Sequence, residues 1–238
     1  MTITELVSDT YLRATGETTV LTTGTKYNRI ITLADFYQRR WAREPGVDWA
    51  SLYDPEFSLG NVTATDAYDI DSSTVRKLSN RQGDVVRIAW DDGNGYTDYD
   101  LVPHDKLKDF YTGVDKESYS GFFAAEIGKQ LIFNHTFTTT DNEYGGEIFV
   151  PAYLYPDEIT ANNPNSDEVQ VDDPDWLVVK CAAEYVRNDI TRRSRYPELI
   201  IEANEIMTRM MEDNEAQINA IDKPWSPFSG INQTDAWS

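Results

Sequence analysis

The chain has 238 residues, of which 40% are hydrophobic and 12% aromatic, enough for a buried core in one large or two small domains. Asp and Glu number 41 against 21 Lys and Arg, and the resulting net charge of −20 disfavours binding to the phosphates of DNA. The N-terminus has no basic region followed by an apolar run, and no apolar stretch approaches the length of a membrane span, so neither a signal peptide nor membrane contact is expected.

Two helices are predicted in the N-terminal residues 1–55. Thr2 and Glu5 have the spacing of a capping box, and apolar residues then recur at helical intervals as far as Gly16. A second helix is predicted from an apolar stripe at intervals of three and four residues, which ends before Gly46. The members of this stripe are Tyr27, Ile30, Ala34, Tyr37 and Trp41. Each helix has a single apolar face, so each is expected to pack against further helices.

Residues 56–156 are predicted to form an inserted antiparallel β domain. Runs 85–90 and 96–101 are rich in β-branched and aromatic residues and flank a glycine-containing turn, which predicts a hairpin. Further strands are expected in runs 122–127, 130–137 and 147–155, and short helices in 72–79 and 103–111. Residues 157–173 are rich in acidic residues, Asn and Pro, and are interpreted as an acidic linker.

The C-terminal residues 174–221 are predicted to form two helices that meet near Pro197. The first is apolar on almost every face, which is typical of a helix surrounded by other elements. The second has one apolar stripe, and its acidic side chains and Arg209 are expected to face water. Because no helix buries its stripe alone, the N- and C-terminal pairs are expected to pack together. The predicted fold is therefore α+β: a helical bundle formed by the N- and C-terminal helices, an inserted antiparallel β domain and an extended C-terminal arm.

The arm is predicted in residues 222–238, because the Pro and Gly residues of this segment cannot sustain a helix. It contains four large apolar side chains: Trp225, Phe228, Ile231 and Trp237. Anchors of this kind supply much of the energy of protein interfaces, so these four are candidate residues for binding a partner protein or a neighbouring subunit. The alternative is that the arm folds back onto its own subunit.

Arginines form two groups in the predicted helices. One group contains Arg39, Arg40 and Arg43, and the other contains Arg187, Arg192, Arg193 and Arg195. Either group could bind DNA phosphates, or could pair with carboxylates within the bundle or between neighbouring subunits. The excess of carboxylates favours pairing, which makes the second group candidate charge contacts between subunits.

No catalytic, metal-binding or cofactor-binding residues are predicted. The two histidines, His104 and His135, lie on different predicted elements and lack the spacing of a metal motif. Cys181, the only cysteine, lies in the apolar helix and is expected to be a small core residue. No glycine-rich segment has the context of a phosphate-binding loop. With 41 acidic residues, some carboxylates will lie at hydrolase spacing in any fold, so a carboxylate-based hydrolase stays an alternative.

A series of short motifs runs through the C-terminal helices. They are Asp175 to Val178, Ala182 to Glu184, Arg187 to Thr191, Tyr196 to Leu199, Ala203-Asn204, Met210-Met211 and Asp213-Asn214. This series resembles the C-terminal helices of the head-to-tail adaptor proteins of tailed bacteriophages, which are also called connector or neck proteins. The resemblance is close in residues 175–214 and extends to the N-terminal helices only in general character.

Adaptors of this family are not enzymes, and they form a ring, typically a dodecamer, between the portal and the tail. The resemblance therefore implies a structural virion protein of the neck region, assembled in the cytoplasm of the bacterial host. Its expected partners are further copies of the chain, the portal protein, which the arm would reach, and tail or nozzle proteins. DNA would pass through an acidic channel in the ring without specific binding; the alternative interpretation of the negative charge is that it serves solubility alone. The alternatives are another virion part, such as a head-closure or tail-tube protein, and the hydrolase.

Overall fold

The computed structural model describes residues 1–79, 84–102, 121–161 and 168–221. Four α-helices lie in these residues: α1 (Ile3–Thr15), α2 (Thr25–Ala42), α3 (Pro174–Arg187) and α4 (Tyr196–Ile221). The strands are β1 (Tyr53–Asn61), β2 (Ala67–Asp69), β3 (Val75–Leu78), β4 (Val85–Ala89), β5 (Tyr96–Leu101), β6 (Phe123–Ile127), β7 (Gln130–Phe133) and β8 (Glu147–Leu154). They form one sheet in the order β1-β8-β4-β5-β6-β7-β2, and β3 also pairs with β8.

The predicted architecture of a helical bundle with an inserted antiparallel β domain was wrong. The described residues form an α+β structure with four α-helices and a curled, mixed eight-stranded sheet that dominates the fold. The sheet is mixed because β5 and β6 run parallel, with Asp100 opposite Phe123. The sequence pattern predicted too small a sheet because it did not reveal β1, in which Pro55 and Gly60 interrupt the pattern of a strand. The boundaries proposed for the domains stay predictions.

Helix α3 is the centre of the helical part, as its apolar pattern predicted. It packs on α1, α2 and α4, and its side chains from Trp176 to Val186 are buried except for Lys180 and Glu184, which are half-buried. Helices α1 and α2 each place their predicted apolar stripe in the same core. The predicted capping box is also present, since the Thr2 hydroxyl accepts from the Glu5 N–H and the Glu5 carboxylate accepts from the Thr2 N–H.

Strand β8 organises the sheet. It pairs with β1 along most of its length, with β4 near its start and with β3 near its end. The predicted hairpin is confirmed, because β4 and β5 pair antiparallel with Val85 opposite Asp100. The helix predicted in residues 72–79 is wrong, since this segment contains β3, and pairing with a distant strand outweighs local helix propensity. The helix predicted in 103–111 lies outside the described residues.

Asp48 connects the helical part to the sheet. Its carboxylate accepts hydrogen bonds from the side chains of Arg76 and Lys77, which belong to β3. Burial opposes ionisation of Asp48, but the hydrogen bonds and positive charges of Lys77 and Arg76 outweigh it and hold its pKa below the usual value. Both cations also lie over the ring of Tyr153 in β8. The cluster therefore anchors the segment between α2 and β1 on the sheet.

The chain returns from the sheet to the helices along α2. Gln38 is almost fully buried; its side-chain amide donates to the Asp157 carbonyl and its side-chain oxygen accepts from the Gln170 N–H. The apolar residues Ile159, Val169 and Val171 are buried in the helical core. The described residues of the predicted acidic linker, 157–161 and 168–173, are therefore packed against the helices.

Candidate interaction surfaces

The side chains capable of acid–base or metal chemistry do not converge in the described residues. No group of three or more His, Cys, Asp or Glu side chains among them could hold a metal ion. The His135 Nε2 atom lies 3.1 Å from Asp141 Oδ2, and hydrogen bonds from the Thr138 N–H and from His135 lower the pKa of Asp141. His104 lies outside the described residues. Within the same ranges, no helix is long and apolar enough to cross a membrane.

The C-terminal arm follows α4 directly. Helix α4 is described as far as Ile221, and the four candidate anchors of the arm lie outside the described residues. These anchors are Trp225, Phe228, Ile231 and Trp237. Their role in binding a portal or a neighbouring subunit stays a prediction.

Three of the four candidate arginines at the end of α3 and in the loop that follows it contact groups of their own chain. The contacts are Arg187 to Glu184 at 3.3 Å, Arg192 to Glu17 at 2.9 Å, and Arg195 to the Ala14 carbonyl at 3.3 Å. The last two tie the loop between α3 and α4 to the end of α1, where a helix carries partial negative charge. Arg193 is exposed and has no ion-pair partner within the part of the chain that the structure describes. Charge contacts of these arginines with another subunit stay a prediction.

The loop between α3 and α4 presents an apolar side chain to solvent. Ile190 is 95% exposed. The neighbouring Asp189 accepts hydrogen bonds from the Thr191 N–H and hydroxyl, and forms an ion pair with Arg192 at 3.1 Å. These contacts tie Asp189 to the residues that follow Ile190, whose side chain lies in solvent.

A groove of about 1070 Å³ lies between α1, α3 and α4. Its apolar lining includes Val178, Val179 and Ile206, while its charged lining comes from both α1 and α4. Arg13 and Glu202 form an ion pair between these two helices. An apolar centre surrounded by charged side chains is typical of a surface that binds a segment of another protein. The sequence did not predict this groove, because its two sides are distant along the chain.

A polar cluster lies where α2 meets α3. The Lys180 ammonium is 3.9 Å from the Glu184 carboxylate and 5.2 Å from the ring centre of Tyr37. Burial raises the pKa of Tyr37 to about 12, and the negative charge of Glu184 adds to this effect. Burial also lowers the pKa of Lys180. The cluster holds α2 on α3.

The cationic side chains along α2 form a pattern that sequence reasoning missed, and one of them, Arg29, donates to the Tyr185 carbonyl of α3. Lys26 and Arg29 precede the predicted group of Arg39, Arg40 and Arg43 on the same helix and its end. Within the described ranges only Arg39 of these has a carboxylate partner, namely Asp35 in the preceding turn. Lys26, Arg29, Arg40 and Arg43 recur at intervals of three and four residues once Leu33 and Phe36 between them are included, which is the signal that would have joined them into one surface.

Cys181 should be unreactive while the chain is folded. It is fully buried in α3, and burial raises the pKa of its thiol, so the reactive thiolate is disfavoured. We expect Ellman's reagent to label the native chain at least about 100-fold more slowly than the urea-unfolded chain. A variant with a second cysteine at the exposed Thr208 is the control and should gain one rapidly labelled thiol. Equal labelling rates in the native and unfolded chains would contradict the prediction.

The chain matches no protein-family model and no curated protein. A function is therefore inferred from the surfaces described above and from the resemblance of residues 175–214. Both concern contacts between proteins.

Proposed function

We propose that this protein is a structural virion protein, a head-to-tail adaptor whose copies form a ring that joins the portal to the tail. The observation that carries the proposal is the pair of helices α3 and α4, which with their connecting loop contains all the residues of the adaptor resemblance. One side of this pair is packed in the core, including Ala182 and Ala183, and the other side presents Ile190 and the outer face of α4. A rigid pair with one uncovered side is suited to assembly.

The residues of the resemblance also have structural contacts. Asn214 is buried, its amide donates to the Asp48 carbonyl and its side-chain oxygen accepts from the Ala50 N–H. Tyr196 begins α4 beneath the guanidinium of Arg187, which lies 5.8 Å from the centre of its ring. Such contacts fix the position of α4, which is what a ring subunit requires.

In this proposal the ring lies in the neck of the virion and is a dodecamer, as in the adaptors that the chain resembles. It would be assembled in the cytoplasm of the bacterial host. The aromatic arm at the C-terminus would bind the portal, and other surfaces would meet tail or nozzle proteins. The net charge of −20 would repel the phosphates of DNA, so that DNA passes along the channel without being held.

The proposal is tested by mixing the purified chain with the portal protein of the same virus and imaging the mixture by electron microscopy. Two variants are compared with the full chain. One ends at Asp222, and the other keeps its full length but carries alanine at all four anchors. We expect the full chain to form a ring stacked on the portal. Both variants should lose this complex, because aromatic anchors supply most of the binding energy.

The alanine variant separates the anchors from the length of the arm. If both variants bind the portal like the full chain, the arm belongs to its own subunit or to a contact within the ring. If the full chain forms rings or tubes that do not bind the portal, it is a head-closure or tail-tube protein. A full chain that neither assembles nor binds the portal would contradict the adaptor proposal.

A further inference from the structure

The outer face of α2 carries a line of cationic side chains. Exposed or half-exposed residues recur along it at intervals of three and four: Lys26, Arg29, Leu33, Phe36, Arg40 and Arg43. This spacing places all of them on one side of the helix, which we call the basic face. Phe36, near its middle, is 55% exposed. An exposed Phe between arginines is typical of interface anchors.

The charges of the basic face are not neutralised within the described residues. Lys26 donates to the Tyr11 hydroxyl, and Arg29 and Arg43 lie over the rings of Tyr185 and Tyr155. None of the ion pairs in ranges 1–79, 84–102, 121–161 and 168–221 involves the four cations of the face. The face is therefore positively charged on a chain whose net charge is −20.

Helix α4 carries a line of the opposite charge. Exposed residues recur along it at intervals of three and four: Glu198, Ile201, Glu205, Thr208, Glu212 and Glu215. We call this line the acidic face. Ile201 is 59% exposed, and the ion pairs of the described residues include none of these four glutamates. Glu205 and Glu212 also border the groove between α1 and α4.

The two faces match in length as well as in charge. Each runs over the same number of residues, from Lys26 to Arg43 and from Glu198 to Glu215, which corresponds to about 26 Å of helix. Each carries four charges, one large apolar side chain that is more than half exposed and the same alternation of spacings. When two such helices lie side by side, three of the four charges on each face lie opposite an unlike charge, and the fourth lies opposite an apolar position.

One subunit cannot bring its own two faces together. Helices α2 and α4 both pack on α3 but hardly contact each other, and their buried stripes face the shared core. The two faces consequently point outward from different parts of the helical layer. Each face must therefore be covered by another molecule that has the opposite pattern of charges. A second copy of this chain has both patterns.

We propose that the basic face of α2 docks on the acidic face of α4 of a second copy. The contact joins two different surfaces, so each bound copy leaves one of each face free, and repetition produces a ring if the rotation closes. The inference rests on the proposed function for the ring itself and names the surfaces through which its subunits touch. Exposed ion pairs are weak individually and screened by salt, so the association should weaken as ionic strength rises to about 0.5 M.

Charge reversal tests the pairing directly. One variant carries Arg40→Glu with Arg43→Glu, and the other carries Glu205→Lys with Glu212→Lys. We expect each alone to self-associate about tenfold more weakly than the natural chain, because like charges then face each other. An equal mixture of the two should associate again, since every contact between unlike copies has opposite charges. Sedimentation velocity at low salt measures the association, circular dichroism checks the fold, and Lys129→Glu in the exposed turn between β6 and β7 is the matched control.

Cross-linking tests the geometry independently of charge. Thr32 and Thr208 are exposed, uncharged and near the middle of the outer sides of α2 and α4. A variant with cysteine at both positions should give a ladder of oligomers with a short bismaleimide. Each single-cysteine variant should give almost none, because the contact joins unlike faces. The buried Cys181 does not contribute.

Three results would overturn the inference: a natural chain that stays monomeric at low salt, reversed variants that associate like the natural chain, or a mixture that fails to recover. A ladder from either single-cysteine variant alone would also overturn it, because like faces would then meet. Portal binding is measured separately. If the natural chain binds the portal but its charge-reversed variants still self-associate, the adaptor proposal stands and this interface is wrong. If the chain self-associates through these two faces but does not bind the portal, the interface stands and the adaptor proposal is wrong.

Discussion

Trp49→Ala should lower the free energy of unfolding by about 3–5 kcal/mol. Trp49 is fully buried in the helical core just before β1, and its ring stacks on Trp41 with 4.6 Å between the ring centres. Its indole N–H donates to the Trp41 carbonyl at 2.8 Å. Alanine would remove the ring contacts and the donor together and would leave a cavity beside Trp41. Urea unfolding followed by far-ultraviolet circular dichroism gives the change in free energy.

The matched control is Trp49→Phe, which keeps an aromatic ring but has no donor. We expect it to recover more than half of the loss, leaving a cost of about 1–2 kcal/mol for the smaller ring and the lost hydrogen bond, since the Trp41 carbonyl still accepts from the Glu44 N–H. If Trp49→Ala costs less than about 1 kcal/mol, the segment between α2 and β1 does not depend on this stack. The same comparison in the assembly experiments would show whether a loosened connection to the sheet affects the ring.

Asn214→Ala should lower the free energy of unfolding by about 2–4 kcal/mol. Its side chain is 4% exposed and makes two hydrogen bonds to the backbone between α2 and β1, 2.7 Å to the Ala50 nitrogen and 3.0 Å to the Asp48 oxygen. Alanine would leave a buried N–H and a buried carbonyl without partners. Thermal and urea unfolding of the two chains measure the difference.

The neighbouring Asp213 provides the control for Asn214. Asp213 belongs to the same motif of the adaptor resemblance but is exposed, so Asp213→Ala should change stability by no more than about 0.5 kcal/mol. Equal effects of the two substitutions would contradict the role of the Asn214 hydrogen bonds. A large effect at Asn214 alone would mean that the motif is retained for the attachment of α4 to the segment before β1.

The helices were predictable because their signals are local. The Thr2 capping box, the Gly16 terminus of α1 and the apolar stripe from Tyr27 to Trp41 each depend on residues within a few turns of one another. The hairpin of β4 and β5 was predictable for the same reason, because its strands adjoin one turn. Strand β1 was missed because Pro55 and Gly60 interrupt its local pattern and its partner, β8, lies beside it in the sheet but far away along the chain.

The candidate surfaces were predictable in part. Sequence reasoning selected the arginines between α3 and α4, but it could not show that Arg192 meets Glu17 or that Arg195 meets the end of α1. It placed the glutamates of α4 and Arg209 in water. The structure confirms this for Glu198, Glu205, Glu212 and Arg209, whereas Glu202 is half-buried in an ion pair with Arg13. The complementary line on α2 was overlooked, because its significance depends on which side of that helix the core covers.

Caps, apolar stripes and turn residues were sufficient to identify the four helices and one hairpin, because each of these signals acts over a few residues. Packing of the whole chain was needed for the rest. It pairs Tyr53 with Tyr153, aligns β5 parallel to β6 and curls eight strands into the sheet that dominates the fold. It also covers one side of α2 and one side of α4, leaving a basic face and an acidic face in solvent. These contacts join residues far apart along the chain, and their free energy depends on which surfaces meet, which no local pattern specifies.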